Sequence, residues 1–464
     1  MRPEPAHSEL DRLHELGRKA YVWGYPLVRS AQLRANLTRP RDPGAPAEPA
    51  VASGALNAMG HARRLATPAT RVGVAPNHDT LYSLAWLDLA DGPFVLETPD
   101  FGTRYYTFQM GQADSSTDRS LGQRTHGGQL PAVFISGPGY SGDMPADAEQ
   151  VRSRYRYLLV AGRILVDGPS DLPAVHALQD RIKLMPWGAR STDKQAARTS
   201  MAAACNPQPA ARSPQPDVEG DRTFEFMQLL ASVISDIGAG DASAQDAEML
   251  ASLAPTGLRP GGVFCSDAMS SEQRAALAAG LRAGEAMVRA KTMELGYRIN
   301  GWSINYRGAN FGDDYLLRAA VAMDQIYIVE ADEALYPSAR LDSCGEVLDG
   351  HHRYRIRFEP DGLPPVGAFW SITLYFAQGF LVPNAIDRWS IGDRSPGLKA
   401  AADGTLDILV QHEPPDEGRD HWLPAPREPF MLIMRLYHPL APIKRRDWVP
   451  PPVVRLEEHG NAGR

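Results

Sequence analysis

Residues 75–89, APNHDTLYSLAWLDL, are the best candidate site in this chain, because the adjacent side chains Asn77, His78, Asp79 and Thr80 could bind a ligand or move protons. Asn77, His78 and Asp79 lie in a predicted turn that an alternating strand follows, a position where rigid scaffolds carry functional loops. Because an imidazole exchanges protons near neutral pH, His78 is the candidate general base or acid, oriented by Asp79. Ordinary turn chemistry also explains Asn77 and Asp79, so that interpretation stays open.

A second set of candidates is aromatic and cationic. Tyrosine and tryptophan at alternating strand positions can stack a ligand, although they bury large areas with or without one. Arg388 and Arg435 lie within apolar segments, where each charge needs a partner. That partner is either a substrate anion or an internal carboxylate such as Asp387, Asp403 or Asp407. The proposed substrate-binding residues are Asn77, Tyr82, Tyr106, Arg124, Trp370, Tyr375, Asn384, Arg388 and Arg435.

Motifs for common cofactors and nucleophiles are missing from the sequence. It contains no GxSxG elbow, no glycine-rich phosphate loop and no HExxH pattern. Cys205, Cys265 and Cys344 are far apart and form no CxxC, so neither a disulfide framework nor a thiolate zinc site is indicated. We therefore predict no organic cofactor, while a metal site assembled from scattered histidines stays open without a ligand motif.

The composition indicates a globular protein, and the candidate site residues lead us to expect a small-molecule ligand as its partner. The chain has 464 residues, 43% of them hydrophobic, enough for two or three domains. The formal charge of −7 comes without a basic block, so we expect no nucleic-acid partner. Neither a signal-peptide core nor an apolar window of membrane-spanning length is present, so we expect no membrane partner and a cytoplasmic location. A homo-oligomer stays open.

The hydrophobic periodicity predicts an N-terminal helix over residues 8–36 that is kinked or broken near Gly24 and Pro26. Short strands with Gly and Pro turns follow, which favours a sandwich or barrel. A helix over residues 170–183, with Asp171 as N-cap, ends this region. The predicted strands are residues 80–89, 94–98, 104–110, 132–136 and 155–166.

The middle of the chain separates two β regions. Residues 187–221 contain a proline-rich linker, and the helix over residues 270–296 carries a capping box formed by Ser270 and Gln273. Further helices are predicted at residues 223–237, 246–253 and 313–323, and strands at 353–358, 368–375, 388–392, 405–410 and 430–436. The predicted divisions are residues 1–60 (helix and loop), 61–190 (β-rich), 191–325 (linker and helical insertion) and 326–464 (β-sandwich).

Long segments of the chain resemble two families of unknown function. AYVWGYPLV, PNHDTLYSLAWLDL, RYYTFQM and VAGRILVDGPSDLPAVHALQD resemble the domain of unknown function numbered 1254. LPPVGAFWSITLY, VPNAIDRWSIG, DGTLDILVQ, HWLPAP and FMLIMRLYHP resemble its usual partner, numbered 1214. The resemblance implies two β-rich domains, of jelly-roll and concanavalin-like sandwich character, but it implies no defined reaction. The PNAIDR turn, which contains Asn384, parallels the turn at residues 75–79.

Two places depart from the family pattern. Residues 112–116 read QADSS where the family has an acidic and aromatic segment, and His421 stands where it commonly has Asn. If the first segment lines a family site, this chain has rebuilt that site.

We therefore expect an α+β multidomain protein, mainly β, with two β-sandwich or jelly-roll-like domains, an N-terminal helical segment and a helical insertion between the domains. Our leading hypothesis is an enzyme that acts on a small oxygenated or carboxylated molecule by acid-base chemistry, through hydrolysis, hydration or isomerisation. Its pocket would lie between the two β domains, where ligand sites often form. The alternatives are a non-catalytic binder of a small molecule or glycan, and a metal-dependent enzyme.

Overall fold

The computed structural model describes residues 5–39, 50–71, 74–190, 224–238 and 240–457. Residues 191–221 of the segment predicted to contain the linker lie outside the described residues. No helix in the described ranges combines the length and the apolar character that a bilayer crossing requires. The helices are α1 (Pro5–Thr38), α2 (Gln123–His126), α3 (Leu172–Gln179), α4 (Glu225–Ile237), α5 (Ala244–Leu253), α6 (Ser271–Thr292), α7 (Tyr315–Asp324) and α8 (Ala441–Lys444).

Helix α1 is continuous through Pro26, so the predicted break is absent, while the alternative of a kink stays a prediction. A proline removes one backbone hydrogen bond, but Tyr21 and Tyr25 on either side of Gly24 are fully buried against the other helices. Gly24 allows Leu230 of α4 to approach the α1 backbone closely. This packing stabilises the helical geometry that the local sequence disfavours.

The first β region is a sandwich of two sheets. Sheet 1 has the strand order β1-β2-β8-β4-β5, and sheet 2 has the order β7-β6-β3-β9. Alternate residues of both sheets, such as Phe108 of sheet 1 and Phe94 of sheet 2, fill one apolar core. The strands are β1 (Gly60–His61), β2 (Thr80–Asp88), β3 (Phe94–Glu97), β4 (Tyr106–Gln112), β5 (Thr117–Gly122), β6 (Val133–Ser136), β7 (Glu149–Arg152), β8 (Tyr157–Leu165) and β9 (Lys183–Pro186).

The second β region is a second sandwich. Sheet 3 has the order β10-β11-β13-β19-β15-β16, with β12 also paired to β19, and sheet 4 has the order β18-β17-β14-β20. Their facing residues form another core. The strands are β10 (Tyr297–Ile299), β11 (Trp302–Ile304), β12 (Ala334–Leu335), β13 (Ser338–Ala339), β14 (Arg353–Phe358), β15 (Trp370–Phe376), β16 (Ser390–Gly392), β17 (Leu406–Gln411), β18 (Trp422–Pro424), β19 (Phe430–Tyr437) and β20 (Val453–Leu456).

The α+β architecture with two sandwich regions separated by helices is confirmed. Helices α1, α4, α5, α6 and α7 pack into a layer with its own apolar core. Two helix ends differ from the prediction: α3 ends at Gln179 and α6 at Thr292. The Asp171 side chain makes no capping hydrogen bond because it pairs with Arg104 instead.

Sheets 1 and 3 turn their outer faces toward each other. In β15, Trp370 and Ile372 point into the second core, whereas Ser371 and Thr373 make polar contacts on the opposite face. In β2, Leu81 and Leu87 point into the first core, whereas Tyr82 and Leu84 face away from it. The space between these outer faces holds the candidate site.

Candidate functional site

A cavity of about 200 Å³ lies between the two sandwiches. Its walls come from β2 and β8 of sheet 1, β19 of sheet 3, the end of α1 and the segment that follows α7. Most of the lining is apolar. The polar side chains in the lining are Arg64, Thr70, Asn77, Thr80, Tyr82, Arg163, Gln325, Tyr327, Tyr336 and Arg435.

The wall formed by sheet 1 follows directly from strand register. Tyr82 pairs with Arg163 across β2 and β8, and Leu84 pairs with Ala161. Because side chains alternate between the faces of a strand, these four residues share the outer face and all line the cavity. A cation and a phenol therefore lie next to an apolar stretch of the same wall.

Arg435 is buried on β19 and is held by neutral oxygen acceptors. Its guanidinium donates to Thr373 Oγ1 at 2.9 Å, to the Ala75 carbonyl at 2.9 Å and to the Tyr375 hydroxyl at 2.8 Å. The expected ion pair with Asp387, Asp403 or Asp407 is not formed. Asp407 pairs with Arg357 instead, and Asp403 accepts hydrogen bonds from Thr405.

Arg163 of β8 is also buried, with 6% of its surface exposed. Its Nε donates to the Tyr82 hydroxyl at 3.1 Å and its Nη2 to the Tyr327 carbonyl at 3.2 Å. Its Nη1 has no hydrogen-bond partner among the described residues. Burial opposes the charged form, but Tyr82 and Tyr336 raise the pKa of Arg163, so the side chain stays a cation.

The charge of the cavity lining has a single sign. None of its described lining residues is Asp or Glu, whereas Arg64, Arg163 and Arg435 all carry positive charge. Burial raises the pKa of Tyr336 to about 12, so its phenol is a hydrogen-bond donor at neutral pH. Burial likewise raises the pKa of Tyr327, but its hydroxyl already donates to the Gln112 carbonyl at 3.0 Å. An arrangement of cations and phenols can hold an anion with several oxygen acceptors.

His78 lies beside the cavity rather than in its lining. Its Nδ1 donates to the Ala66 carbonyl at 2.8 Å, and its ring packs edge-on against Trp389. Burial lowers the pKa of His78, and the positive charge of Arg435 adds to this effect. The ring is therefore neutral at pH 7, and the backbone contact fixes its tautomer.

Asp79 does not orient His78 through a hydrogen bond in the described structure. Its carboxylate accepts from Ser371 Oγ at 2.7 Å and from Arg394 Nη2 at 3.2 Å, which links β2 to the second sandwich. Asn77 lines the cavity, but its Oδ1 accepts from the backbone amides of Asp79 and Thr80. The turn chemistry considered for Asn77 is therefore present.

The other candidate residues lie in different environments. Tyr106 stacks on Phe101 inside the first core, and Trp370 packs in the second core. Asn384 and Arg388 bond backbone carbonyls within and beside their own turn. Arg124 forms an ion pair with Glu333, and Tyr375 supports Arg435 while donating to the Pro76 carbonyl. The cavity lining thus includes Asn77, Tyr82 and Arg435 from the predicted set.

The two segments that depart from the family pattern, residues 112–116 and His421, both make contacts within the protein. Residues 112–116 form a buried turn in which Asp114 pairs with Arg318 at 2.8 Å. His421 donates its Nδ1 proton to the Asp407 carbonyl at 2.7 Å, in the sheet 4 region. Neither Asp114 nor His421 lines the cavity.

Sequence reasoning missed Arg163 and Tyr336 as site residues. Arg163 lies in LLVAGRILV, a segment as apolar as the strand that contains Arg435. The same argument, that a charge in an apolar strand needs a partner, identifies it. Tyr336 has no comparable signal, because it lies in an irregular stretch that only the tertiary structure brings to the cavity.

Among the described residues, no group of three or more His, Cys, Asp or Glu side chains is arranged to hold a metal ion.

Comparison with solved structures supports the fold. The VPA0106 protein of Vibrio parahaemolyticus matches 96% of this chain and 100% of its own length, with a TM-score of 0.66 and 21% sequence identity. A protein of Burkholderia cenocepacia matches 97% of this chain and 96% of its own, at 13% identity and a TM-score of 0.45. At these identities the first match shows the fold alone.

Comparison with sequences identifies the two β regions. No curated protein matches the chain. Residues 56–186 match the family described as protein of unknown function DUF1254, and residues 333–441 match the one described as DUF1214. The chain therefore combines a region similar to the DUF1254 family with a later region similar to the DUF1214 family, in that order.

Proposed function

We propose that this protein binds a small organic carboxylate in the cavity between its two sandwiches. The observation that carries the proposal is the lining itself, which contains the buried cations Arg163 and Arg435 and no acidic residue among the described positions. An anionic ligand supplies the negative charge that the lining lacks.

Burying a cation without a paired carboxylate costs free energy. A guanidinium that leaves water loses solvation, and neutral oxygen acceptors replace only part of it. Arg163 keeps one unpartnered nitrogen, and neither Arg163 nor Arg435 has a carboxylate within ion-pair distance among the described residues. A carboxylate that accepts charge-assisted hydrogen bonds recovers that cost on binding.

The geometry supports binding better than the acid-base chemistry of our leading hypothesis. His78 is outside the lining, its Nδ1 is engaged by Ala66, and Asp79 is occupied by Arg394 and Ser371. A glycan-binding face has less support, because Tyr106 and Trp370 pack inside the two cores.

Calorimetric titration of the full chain with four organic acids tests the proposal. Acetate, benzoate, succinate and hexanoate are each compared with the corresponding uncharged amide. We expect at least one acid to bind at millimolar concentration or below, and its amide to bind at least about tenfold more weakly, because the charge-assisted hydrogen bonds are lost. Failure of all four acids to bind, or equal binding of the acid and its amide, contradicts the proposal.

Three variants complete the test. Arg163→Met is expected to weaken the acid by about tenfold or more, and Arg435→Lys to weaken it less, since charge is kept while the planar fork is lost. Arg357→Gln, at an exposed strand position in sheet 4, is the matched control and should bind as the wild type does. Unchanged binding in Arg163→Met contradicts the role of the cavity.

His78→Asn separates binding from acid-base chemistry. Asparagine keeps a donor where Nδ1 donates to Ala66, but it has no group that titrates near neutral pH. We expect ligand affinity within about twofold of the wild type, because the residue lies outside the lining. A turnover that the wild type shows and His78→Asn loses, at unchanged affinity, would restore the enzyme hypothesis.

The remaining expectations stay proposals on sequence grounds. We propose a cytoplasmic location and no organic cofactor, and we leave homo-oligomer formation open. Fractionation of the native host and cofactor analysis of the purified protein test the first two. Light scattering tests the third.

A further inference from the structure

We infer that the ligand is an amphipathic monocarboxylate with an unbranched aliphatic tail, lying along β2 with its tail toward α1. This inference rests on the proposed function and adds the ligand class. The juxtaposition that carries it has two parts. The buried cations Arg435 and Arg163 bond Ala75 and Tyr82 at one end of the cavity, and an apolar cluster rich in Leu and Ile lies at the other.

The polarity of the cavity changes along one pair of strands. The cross-strand pair Tyr82 and Arg163 is followed by the pair Leu84 and Ala161, and then by Leu159 on β8. All five of these side chains line the cavity. Arg163 and Leu159 are four residues apart, which corresponds to about 13 Å along a strand. The wall therefore offers a polar end and an apolar end at a separation that suits a short or medium aliphatic chain.

Helix α1 closes the apolar end. Leu33 and Leu37, from its last turns, line the cavity and belong to the same apolar cluster as Leu84, Leu159 and Ile326. Side chains of this cluster present methyl and methylene groups, which recognise hydrocarbon by area alone. A charged group at this end would lose its hydration without compensation, which disfavours a dicarboxylate that spans the cavity.

The polar end also contains unused hydrogen-bonding capacity. Arg163 Nη1 and Thr80 Oγ1 are buried without a partner among the described residues, and both residues line the cavity. Thr80 is two residues from Tyr82 on the same face of β2, on the side away from Leu84. These two groups thus lie at the end where the carboxylate head is inferred to bind. Gln325 Nε2, in the segment after α7, is a third lining group without a partner among the described residues.

A chain-length series in the wild type tests the tail directly. Butyrate, hexanoate and octanoate are titrated into the full chain, with succinate as the dicarboxylate comparison. We expect each methylene buried against the aliphatic cluster to tighten binding by about threefold to fourfold. Affinity that does not rise with chain length overturns the inference.

Two variants locate the tail. Ala161→Leu fills the apolar end, so hexanoate and octanoate should bind at least about tenfold more weakly while butyrate changes little. Leu84→Ala removes tail contacts without adding volume, so the increase in affinity with each added methylene should become smaller. This second variant keeps the test valid if Ala161→Leu folds poorly. Ala275→Leu, the same enlargement at an exposed position of α6, is the matched control.

The outcomes separate this inference from the proposed function. Succinate that binds tighter than hexanoate and still depends on Arg163 overturns the aliphatic tail but leaves carboxylate binding intact. Absence of binding by every acid overturns both. A chain-length dependence that survives unchanged in both Ala161→Leu and Leu84→Ala also overturns the placement of the tail along β2.

Discussion

Arg435 shows how a buried cation can be held ready for a ligand. Its three hydrogen-bond acceptors, Thr373, Ala75 and Tyr375, come from a neighbouring strand and from the turn that precedes β2. They fix the orientation of the guanidinium without neutralising its charge. A pre-positioned donor of this kind loses little conformational entropy when an anion arrives.

Two partly buried histidines give a pH prediction at the residue scale. Burial lowers the pKa of His61 to about 4, and it also lowers the pKa of His78. Both rings are neutral in the folded state at pH 7. A histidine in the unfolded chain has a pKa of about 6.5, so as the pH decreases below this value the unfolded chain binds more protons than the folded protein. The free energy of unfolding therefore decreases as the pH decreases. We expect His61→Asn to lose less stability than the wild type between pH 7 and pH 4.

Urea unfolding midpoints at a series of pH values measure this difference. The comparison of wild type with variant removes the contribution of the carboxylates, which both proteins share. Parallel curves across this range would mean that His61 does not have a lowered pKa in the folded state.

The sequence predicted part of the site at the residue scale. The turn with Asn77, the phenol of Tyr82 and the charge of Arg435 could be found because each is unusual in its local segment. Arg388 is also a charge in an apolar segment, but it lies just before β16 and outside the cavity lining. Its guanidinium donates to the backbone carbonyls of Arg419 and Trp422, at the start of β18. Local patterns identify a charge that needs partners, whereas the kind of partner depends on the tertiary structure.

At the scale of elements, α1 and α6 approach each other closely through glycines. A Cβ at Gly280 would lie 1.9 Å from the His14 carbonyl oxygen, and one at Gly17 would lie 2.4 Å from that of Leu277. The absence of side chains at these positions lets the two backbones come into contact. The same α1 helix supplies Leu33 to the cavity, so this contact positions one wall of the site.

Gly280→Ala tests this close contact. Alanine favours an isolated helix by up to about 1 kcal/mol, but the clash with backbone at His14 forces the helices apart, so we expect a net loss of about 1–3 kcal/mol. Ala275→Leu, exposed on the same helix, should change stability by less than about 0.5 kcal/mol. The midpoints of urea unfolding measure both. A stabilised Gly280→Ala would contradict the packing described here.

Elements with a clear apolar period were predictable, and elements without one were not. Strands such as Arg353–Phe358 match the prediction because alternation marks their buried face. Strands β5, TDRSLG, and β9, KLMP, were missed because neither alternates. β5 pairs with β4, and β9 pairs with β3, so long-range pairing rather than local preference makes them strands.

At the scale of the whole molecule, a buried carboxylate connects the two sandwiches. Glu333, from the second β region, accepts from Tyr105 at 2.8 Å and from Arg124 at 2.9 Å, both in the first. His438 Nε2 lies 3.5 Å away, an electrostatic contact rather than a well-formed hydrogen bond. Burial alone would raise the pKa of Glu333, but His438 and Arg124 lower it below its usual value. These contacts hold together the two regions that form the cavity.

A structure of the full chain with bound hexanoate tests the central claim most directly. We predict carboxylate density between Arg163 and Arg435, within hydrogen-bond distance of a guanidinium nitrogen, and the tail against Leu84 and Leu159. We expect the carboxylate head group at these two cations because the lining contains no described acidic residue that could pair with them instead. Hexanoate bound elsewhere on the protein, with this cavity free of ligand at saturating concentration, would contradict the account.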